Sequence, residues 1–334
     1  MNDFCAIDKV NKVKLKKGTP SNSVPEGRNS TLFDKSLVKM SIDRLSFTAK
    51  IANRNEIDFL NGLSVNPYVD LQNTKTSLAE GNAYDKALTR FSYDKFSPFP
   101  SGSNLRIELN PNNFEDDYFK DYQETFLNHL FDSSLTRIDI AFDIPCDLST
   151  YYFYLQGIRK QAMHLDGRGK LETHYLGTRN SDRYVRLYNK KLELMQNHGK
   201  PIESEHLWRL EIQLSNDWVN KWEQCLSGLS LMIPDCDLLE GDDYFYIPEL
   251  IKNPQSWDKL SDYKRKKYRK SIKEMPSNSN LLPILSQALV EYKSQLELVI
   301  RDYSNLGNDE LFSRNKVRHD SRLPDEYFEK FNLG

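Results

Sequence analysis

The sequence ETHYLGTRNSDRYVRLYNKK, residues 172–191, contains two strand-like segments joined by turn-forming residues. Glu172–Gly177 and Arg183–Lys190 alternate apolar and polar side chains, which is the period of a half-buried β-strand. Thr178–Asp182 between them is rich in Asn, Ser and Asp, residues that favour turns. This stretch therefore predicts a β-hairpin.

The same alternation recurs in other parts of the chain, so the hairpin is expected to belong to a larger sheet. The further predicted strands are Ser41–Ile51, Leu105–Asn110, Thr136–Ile144 and Trp208–Leu214. Because alternate residues of a strand point to opposite faces, the last three of these and the second hairpin strand each divide into an aliphatic column and a polar column. In the polar columns an arginine is followed two residues later by an acid or a tyrosine.

Apolar residues at helical spacing predict several helices between and after these strands. The predicted helices are Glu115–Phe131, Ser149 to about Met163, one beginning at Ser215 or Asn216, a basic one within 257–274, and Leu281–Tyr303. The expected fold class is α+β: an antiparallel sheet with helices on its apolar face and a polar opposite face. A helical C-terminal region follows.

Composition excludes several classes of protein. No apolar run approaches the 18 or so residues of a membrane helix, and mean hydropathy is −0.68. The N-terminus has no apolar secretory segment, so a cytoplasmic protein without a membrane contact is expected. The four cysteines form no C-x-x-C pair. The net charge of −2 conceals a basic segment, Lys252–Lys273, which is a candidate nucleic-acid surface.

The polar columns combine residue types that suit phosphate chemistry. Carboxylates bind hard divalent cations such as Mg²⁺ or Mn²⁺, while arginines hold phosphate groups with paired donors. The candidate metal ligands are Asp139, Glu211, Glu108 and Asp143. Tyr188 is then a candidate nucleophile for transesterification of DNA or RNA. The alternative is a solvated sheet face with cross-strand ion pairs, and Tyr188 is only one of the 18 tyrosines of the chain.

Several separated motifs resemble the Rep_trans family, the replication initiators of small Gram-positive plasmids that copy by rolling circle. The similar stretches are residues 172–191 together with LRIELNP (105–111), SLTRIDIAFD (134–143), SEHLWRLEIQL (204–214) and WEQC (222–225). They occur in the family's order, and the resemblance spans about residues 41–300. The first 40 residues and the segment after about 305 lie outside it.

The resemblance implies a site-specific DNA nicking and closing enzyme. Tyr188 matches the tyrosine of the family's R-hydrophobe-Y-N/D-K motif, which cleaves one strand at the double-strand origin and stays joined to the 5′ phosphate. From the strand faces, Arg186 and Arg209 are then expected to hold the scissile phosphate. A single-stranded nick site, an origin with an inverted repeat, a homodimer and a host DNA helicase are the implied partners.

Origin recognition in such proteins lies in the C-terminal half, before a W-x-K-L motif that matches Trp257, Lys259 and Leu260. A specificity loop followed by a basic helix on phosphates is therefore expected, against the alternative of a solvated helix face. The candidate DNA-binding residues are Lys252, Asn253, Gln255, Ser256, Lys259, Lys264, Arg265, Lys266, Lys267 and Arg269.

These inferences divide the chain into four parts and leave two rival functions. The parts are a flexible basic tail (1–40), a catalytic nicking and joining domain (41–235), a helical DNA-recognition region (236–305) and a charged C-terminal tail (306–334). A conjugative-element relaxase would share the core and the chemistry. A non-catalytic DNA-binding regulator would share only the fold.

Overall fold

A computed structural model describes residues 38–72, 77–85, 89–94, 99, 102–198 and 204–306 of the chain. These residues form antiparallel β-sheets combined with α-helices, which confirms the α+β class. The predicted tails, 1–40 and 306–334, lie outside the described residues apart from residues 38–40 and 306. No helix in the described ranges has the length and apolarity needed to cross a membrane.

The chain divides into two compact units. Unit A is built mainly from Ile140–Gln213 and Glu223–Lys293, and unit B mainly from Ile42–Asp139 and Leu214–Trp222, with the chain from Ser294 onward. This division does not test the predicted boundary at residue 235, which stays a prediction.

Unit B contains antiparallel strands in the order β2-β3-β4-β5-β1, followed by the first part of β6. The strands are β1 (Lys39–Ile51), β2 (Val69–Gln72), β3 (Ala79–Ala83), β4 (Thr89–Tyr93), β5 (Leu105–Leu109) and β6 (Leu130–Ile144). Its helices are α1 (Glu56–Val65) and α2 (Asp116–Thr125). α2 is shorter than the predicted helix 115–131, because the chain turns into a 3₁₀ segment at Leu127–His129 before β6.

Aromatic side chains join the helices of unit B to one face of its strands. Phe59 of α1 lies edge-on to Tyr93 of β4, with ring centres 5.5 Å apart. Phe126, which ends α2, contacts Phe59 at 6.0 Å and Phe91 of β4 at 5.2 Å. Such pairs stabilise the packing by about 0.5–1.5 kcal/mol each beyond the buried area. The opposite face of these strands carries polar residues, such as Arg106 and Glu108 of β5.

Unit A contains the end of β6, followed in the sheet by β11-β10-β9-β8, and a separate three-stranded sheet β13-β12-β7. The strands are β7 (Tyr152–Leu155), β8 (Gln161–Leu165), β9 (Leu171–Leu176), β10 (Arg183–Asn189), β11 (Trp208–Ser215), β12 (Leu229–Pro234) and β13 (Ser277–Asn280). The helices are α3 (Lys190–His198), α4 (Gly241–Lys252), α5 (Asp262–Glu274) and the beginning of α6 (Leu282–Ser304).

The predicted hairpin is confirmed as β9 and β10. Val185 pairs with Leu176 and Tyr188 with Thr173 in antiparallel register. At the turn, Gly177 has a φ of +95°, and a Cβ there would lie 3.0 Å from the carbonyl oxygen of Arg183. Both the backbone angle and the close approach favour glycine at this position.

The helix predicted from Ser149 to Met163 is wrong: this segment forms β7 and β8 instead. Aromatic residues fit the pleated surface of a strand, and Phe153 and Leu155 of β7 pair with Leu231 and Leu229 of β12. Gly157 follows with a φ of +86°, which is outside the helical region. The predicted helix after Ser215 is a 3₁₀ segment, Asn216–Gln224, kinked at Lys221.

The small sheet and the C-terminal helices of unit A share one core. This core consists of Tyr152, Met232, Ile247, Leu250, Trp257, Tyr268 and Ile272. Trp257 anchors it, because its indole N–H donates to the carbonyl oxygen of Leu250 at 2.8 Å. The tryptophan of the W-x-K-L motif is therefore a packing residue.

Candidate active site

The apolar columns predicted for the four strands are confirmed as buried. Their members are Leu105, Ile107, Leu109, Ile138, Ile140, Phe142, Val185, Leu187, Leu210, Ile212 and Leu214, all 1% exposed or less. Complete burial of such a side chain contributes about 1.5–3 kcal/mol, so these columns fix which side of each strand carries the polar residues. The polar residues of unit A and unit B are described separately below.

Tyr188 lies near the end of β10, where the strand passes directly into α3. The side chain of Asn189 accepts a hydrogen bond from the backbone N–H of Leu192 at 3.0 Å, which caps the start of α3 and ends the strand. Tyr188 is only 6% exposed. The guanidinium carbon of Arg186 lies 4.3 Å from the centre of its ring, and the amine of Lys190 lies 5.8 Å from it.

Arg186 joins Tyr188 to Glu211. Its Nη2 donates to Oε2 of Glu211 at 2.6 Å, and the Arg186 and Glu211 side chains are 33% and 18% exposed. The Nε of Arg186 is buried without a hydrogen-bond partner among the described residues. A buried donor without a partner is costly, so this guanidinium has capacity for one more acceptor beside Tyr188.

The environment of Tyr188 favours its protonated form. Burial raises the pKa of the phenol above its ordinary value and the charge of Glu211 adds to this, while Arg186 and Arg209 act in the opposite direction. A phenol with a raised pKa is a weak nucleophile until its proton is removed or a cation is brought near. Any attack by Tyr188 therefore needs help from its neighbours or from a bound cation.

A second arginine–carboxylate pair lies in the same unit. Arg209 holds Asp143 with two parallel hydrogen bonds, Nε to Oδ1 at 2.6 Å and Nη2 to Oδ2 at 2.7 Å. The structure therefore brings together within unit A a tyrosine, two arginines and two carboxylates. We call Tyr188, Arg186, Glu211, Arg209 and Asp143 the tyrosine cluster.

The other two predicted metal ligands belong to unit B. Glu108 pairs with Arg44 at 2.8 Å, and Asp139 accepts two hydrogen bonds from Arg137 at 2.7 and 2.6 Å. Within the described ranges, no group of three or more His, Cys, Asp and Glu side chains could hold a metal ion. The four acids thus form no preassembled cage. They fit Mg²⁺ only in its common arrangement, with one or two carboxylates completed by phosphate oxygens and water.

One feature near Arg186, a pair of stacked tyrosines, was not predicted from the sequence. Tyr175 of β9 lies directly opposite Arg186, and its ring is 5.9 Å from that of Tyr184 with an angle of 6° between the planes. His164 of β8 lies edge-on to Tyr175 at 5.6 Å. Tyr184 occupies the polar column of β10, so the alternation alone could have found it. Half-buried stacked rings beside arginine suit the stacking of unpaired bases.

The predicted DNA-binding residues of α5 differ in their surroundings. Lys264 and Lys266 are exposed, whereas Lys267 pairs with Asp243 at 3.1 Å. Arg265 donates through Nε to the carbonyl oxygen of Trp257 at 3.0 Å. Arg269 lies over the rings of Tyr154 and Trp257, at 4.8 and 5.2 Å. These contacts of the two arginines hold α5 in place.

Two side chains of the predicted specificity loop form hydrogen bonds with one glutamate. Asn253 and Ser256 both donate to Oε1 of Glu249, at 3.0 and 3.3 Å. The remaining predicted residues of this segment, Lys252, Gln255 and Lys259, are exposed. Glu249 thus orders a loop that presents long polar side chains.

Comparison with known proteins places this chain in a family. Residues 133–274 match the family model Rep_trans, whose description is replication initiation factor. That match covers β10 with Tyr188, β11 with Glu211, and α5. The class indicated by the chain is therefore that of replication initiation factors.

Whole proteins extend this match. Two relatives from Staphylococcus aureus, each named replication initiation protein, are 31% and 32% identical over 261 and 267 residues. Both alignments cover 78% of this chain and 82% of the relative. The chain belongs to the Rep_trans family of rolling-circle replication initiators. A solved structure of a rolling circle replication initiator protein from Geobacillus stearothermophilus aligns with a TM-score of 0.38 at 15% identity, over 61% of this chain and 90% of that one.

Proposed function

We propose that this protein initiates rolling-circle replication of a plasmid by nicking one strand of its double-strand origin through Tyr188 and later rejoining it. One observation carries the proposal: the family's motif tyrosine lies under Arg186, which at the same time holds Glu211 at 2.6 Å. A nucleophile, a phosphate-binding cation and a carboxylate are therefore gathered at one strand end. An ion-paired surface alone would not require a tyrosine there.

The reaction exchanges one phosphate ester for another. The Tyr188 oxygen forms a bond to phosphorus, the bond from phosphorus to the 3′ oxygen breaks, and the phenol proton ends on the released 3′ hydroxyl. Because the new 5′-phosphotyrosine bond keeps the energy of the broken bond, the strand can be rejoined by the reverse step without ATP. The free 3′ hydroxyl can be extended by a polymerase.

The neighbouring side chains have defined roles in this step. Arg186, with an Nε that has no partner among the described residues, donates to the phosphate as negative charge grows on its oxygens. Glu211, whose charge already acts on the phenol, is the carboxylate suited to hold the proton of Tyr188 or a cation beside it. Mg²⁺ or Mn²⁺, when bound there with phosphate oxygens, would supply charge that favours phenolate and stabilises the phosphoryl group.

The remaining parts of the proposal concern DNA and partner proteins. The exposed lysines Lys264 and Lys266 of α5 contact phosphates, and the loop at 252–256 reads the origin. Tyr175 and Tyr184 stack on unpaired bases at the nick site, where the inverted repeat can expose a single strand. The family resemblance adds action as a homodimer in the cytoplasm and loading of a host DNA helicase.

The first test is cleavage of supercoiled plasmid that carries this gene and its flanking DNA, with Mg²⁺ or EDTA, resolved under denaturing conditions. The wild-type protein should give a metal-dependent nick with protein attached to the 5′ end. Tyr188→Phe should lower cleavage by at least about 10³-fold, since it lacks the phenol oxygen that forms the ester, and should bind DNA as before.

Tyr292→Phe on α6 is the matched control, because this half-buried tyrosine lies far along the chain from the motif and should cleave like wild type. Cleavage by Tyr188→Phe would refute the assignment of the nucleophile. DNA binding by the wild-type protein without any adduct, with Mn²⁺ as well as Mg²⁺, would favour a non-catalytic regulator.

A further inference from the structure

Unit B repeats the sequence pattern of the tyrosine cluster. In unit A, Arg186-Leu187-Tyr188 on β10 lies beside Trp208-Arg209-Leu210-Glu211-Ile212 on β11. In unit B, Arg44-Leu45-Ser46 on β1 lies beside Leu105-Arg106-Ile107-Glu108-Leu109 on β5. Each pair of neighbouring strands thus combines Arg-Leu-hydroxyl with Arg-hydrophobe-Glu-hydrophobe.

The contact between arginine and glutamate repeats together with the sequence pattern. Arg44 Nη1 lies 2.8 Å from Oε1 of Glu108, as Arg186 lies against Glu211. Two residues after that arginine, Ser46 stands directly opposite Glu108 and its hydroxyl donates to Oε2 at 3.3 Å. Ser46 therefore holds the sequence position that Tyr188 holds in unit A, two residues after the arginine that pairs with the glutamate.

Further arginine side chains lie next to this pattern in unit B. One small cavity is lined by residues of β4 and β5, namely Arg90, Phe91, Ser92, Arg106 and Glu108. Burial raises the pKa of Glu108, but the charges of three arginines outweigh burial and hold it below the ordinary value. We call Arg44, Arg90, Arg106, Arg137, Glu108, Asp139 and Ser46 the serine cluster.

The serine cluster brings several arginines together on neighbouring strands. Arg90 of β4 stands opposite Glu108, Arg106 stands opposite Ser92, and the charge of Arg137 acts on both Glu108 and Arg106. Arg106 is half-buried, and burial lowers its pKa; the charge of Glu108 opposes this shift and that of Arg137 adds to it. Crowded, partly desolvated guanidinium groups are stabilised by an anion that accepts paired hydrogen bonds, and a phosphodiester is such an anion.

The geometry of the serine cluster does not suit cleavage of a phosphodiester. Ser46 is fully buried, and its short side chain ends in a hydrogen bond to Glu108, so its hydroxyl does not reach a phosphate at the surface. We propose that the serine cluster is a second strand-binding site, which holds a phosphodiester of single-stranded DNA without forming a bond to it. This proposal rests on the proposed function, because it requires a DNA strand as the substrate of the same protein.

The test is binding of a fluorescent oligothymidylate of about 30 nucleotides, longer than a single-strand site of 4–16 nucleotides, by fluorescence anisotropy at several salt concentrations. The variant carries Arg90→Gln and Arg106→Gln, and the control carries Arg54→Gln, an exposed arginine of unit B outside the cluster. Loss of two phosphate contacts should weaken binding about tenfold or more and reduce the slope of log K against log salt by about 1.4. The control should bind like wild type.

A third variant separates charge from folding. Arg90→Lys with Arg106→Lys keeps both positive charges, so it should retain the wild-type salt slope while binding more weakly than the two arginines do. Circular dichroism should show that all three variants keep the wild-type secondary structure at the temperature of the binding assay. If the glutamine variant binds with the affinity and slope of Arg54→Gln, the serine cluster is not a strand-binding site.

The plasmid nicking assay, run in parallel, distinguishes the two ideas. If the wild-type protein nicks through Tyr188 while the glutamine variant binds the oligonucleotide normally, the second site is overturned and the proposed function stands. If the wild-type protein neither nicks nor binds single-stranded DNA, the proposed function fails, and the second site fails with it.

Discussion

The tyrosine cluster of unit A and the serine cluster of unit B differ chiefly in one side chain and in charge. Both place Arg-x-hydroxyl on one strand beside Arg-x-Glu on the next, with the first arginine bonded to the glutamate. Unit A has Tyr188 at the hydroxyl position and unit B has Ser46. The arginine–glutamate pair is thus common to both clusters. Under the proposed function, the longer side chain of Tyr188 reaches the scissile phosphate, whereas the short side chain of Ser46 does not.

The charge balance of the two clusters separates them further. The tyrosine cluster contains two arginines and two carboxylates, and the serine cluster contains four arginines and two carboxylates. In the proposed function the tyrosine cluster takes both a phosphate and a cation, because a metal and a nucleophile act together there. The proposed ligand of the serine cluster is an anion alone.

The two clusters should differ most in how the cleavage rate responds when the glutamate of each cluster is replaced by glutamine. Glu211→Gln should reduce the single-turnover cleavage rate on saturating DNA by about 10²–10³-fold, which lies within the range that a positioned proton-transfer group contributes. Glu108→Gln should change that rate much less, since it alters strand binding and not the group beside Tyr188. Equal loss in both variants would mean that the clusters do not have separate roles.

A smaller effect is expected from the second ion pair of unit A. Asp143→Asn removes the charge that Arg209 holds with two hydrogen bonds, and the side chains of this pair are only 25% and 14% exposed. Because it leaves a partly buried guanidinium without its counter-charge, the free energy of unfolding should fall by about 2 kcal/mol in urea titrations.

Asp58→Asn on α1 is the control for this measurement, since that aspartate is exposed and its loss should change stability by no more than about 0.5 kcal/mol. An unchanged unfolding midpoint in Asp143→Asn would show that Arg209 finds an equivalent partner. In that case the pair would be available for DNA without a stability cost.

The strand columns could be predicted from the sequence because burial imposes a period of two on side chains such as Val185 and Leu187. The segment 149–163 could not, since aromatic residues there pack in a strand only when β12 lies beside them, which is a non-local fact. The hairpin and the position of Tyr188 near its end needed only local turn residues and alternation.

The sequence also could not predict which arginine pairs with which carboxylate in the site. The polar columns contain several arginines and acids, and which arginine meets which acid depends on strand order: Arg186 bonds to Glu211 while Arg209 bonds to Asp143. The likeness of Arg44-Leu45-Ser46 to Arg186-Leu187-Tyr188 is three residues long, too short to recognise as a repeat before the contacts to Glu108 and Glu211 are seen.

The smallest expected effect concerns acid pH and the serine cluster alone. Because the folded protein lowers the pKa of Glu108 below its ordinary value of 4.5, its charged form contributes stability that is fully present above that value. This contribution is lost as the pH falls through the ordinary value toward the folded one. The difference in unfolding free energy between wild type and Glu108→Gln should therefore shrink when urea titrations are moved from pH 6 toward about pH 3.

Glu124→Gln, at an exposed position of α2, is the matched control and should show no such convergence with wild type. A constant difference across this range for Glu108→Gln would mean that its carboxylate is not held charged by the arginines. Bound single-stranded DNA should act in the same sense as acid: it should reduce the advantage of wild type over Glu108→Gln at pH 6, because phosphate and carboxylate compete for the same guanidinium groups.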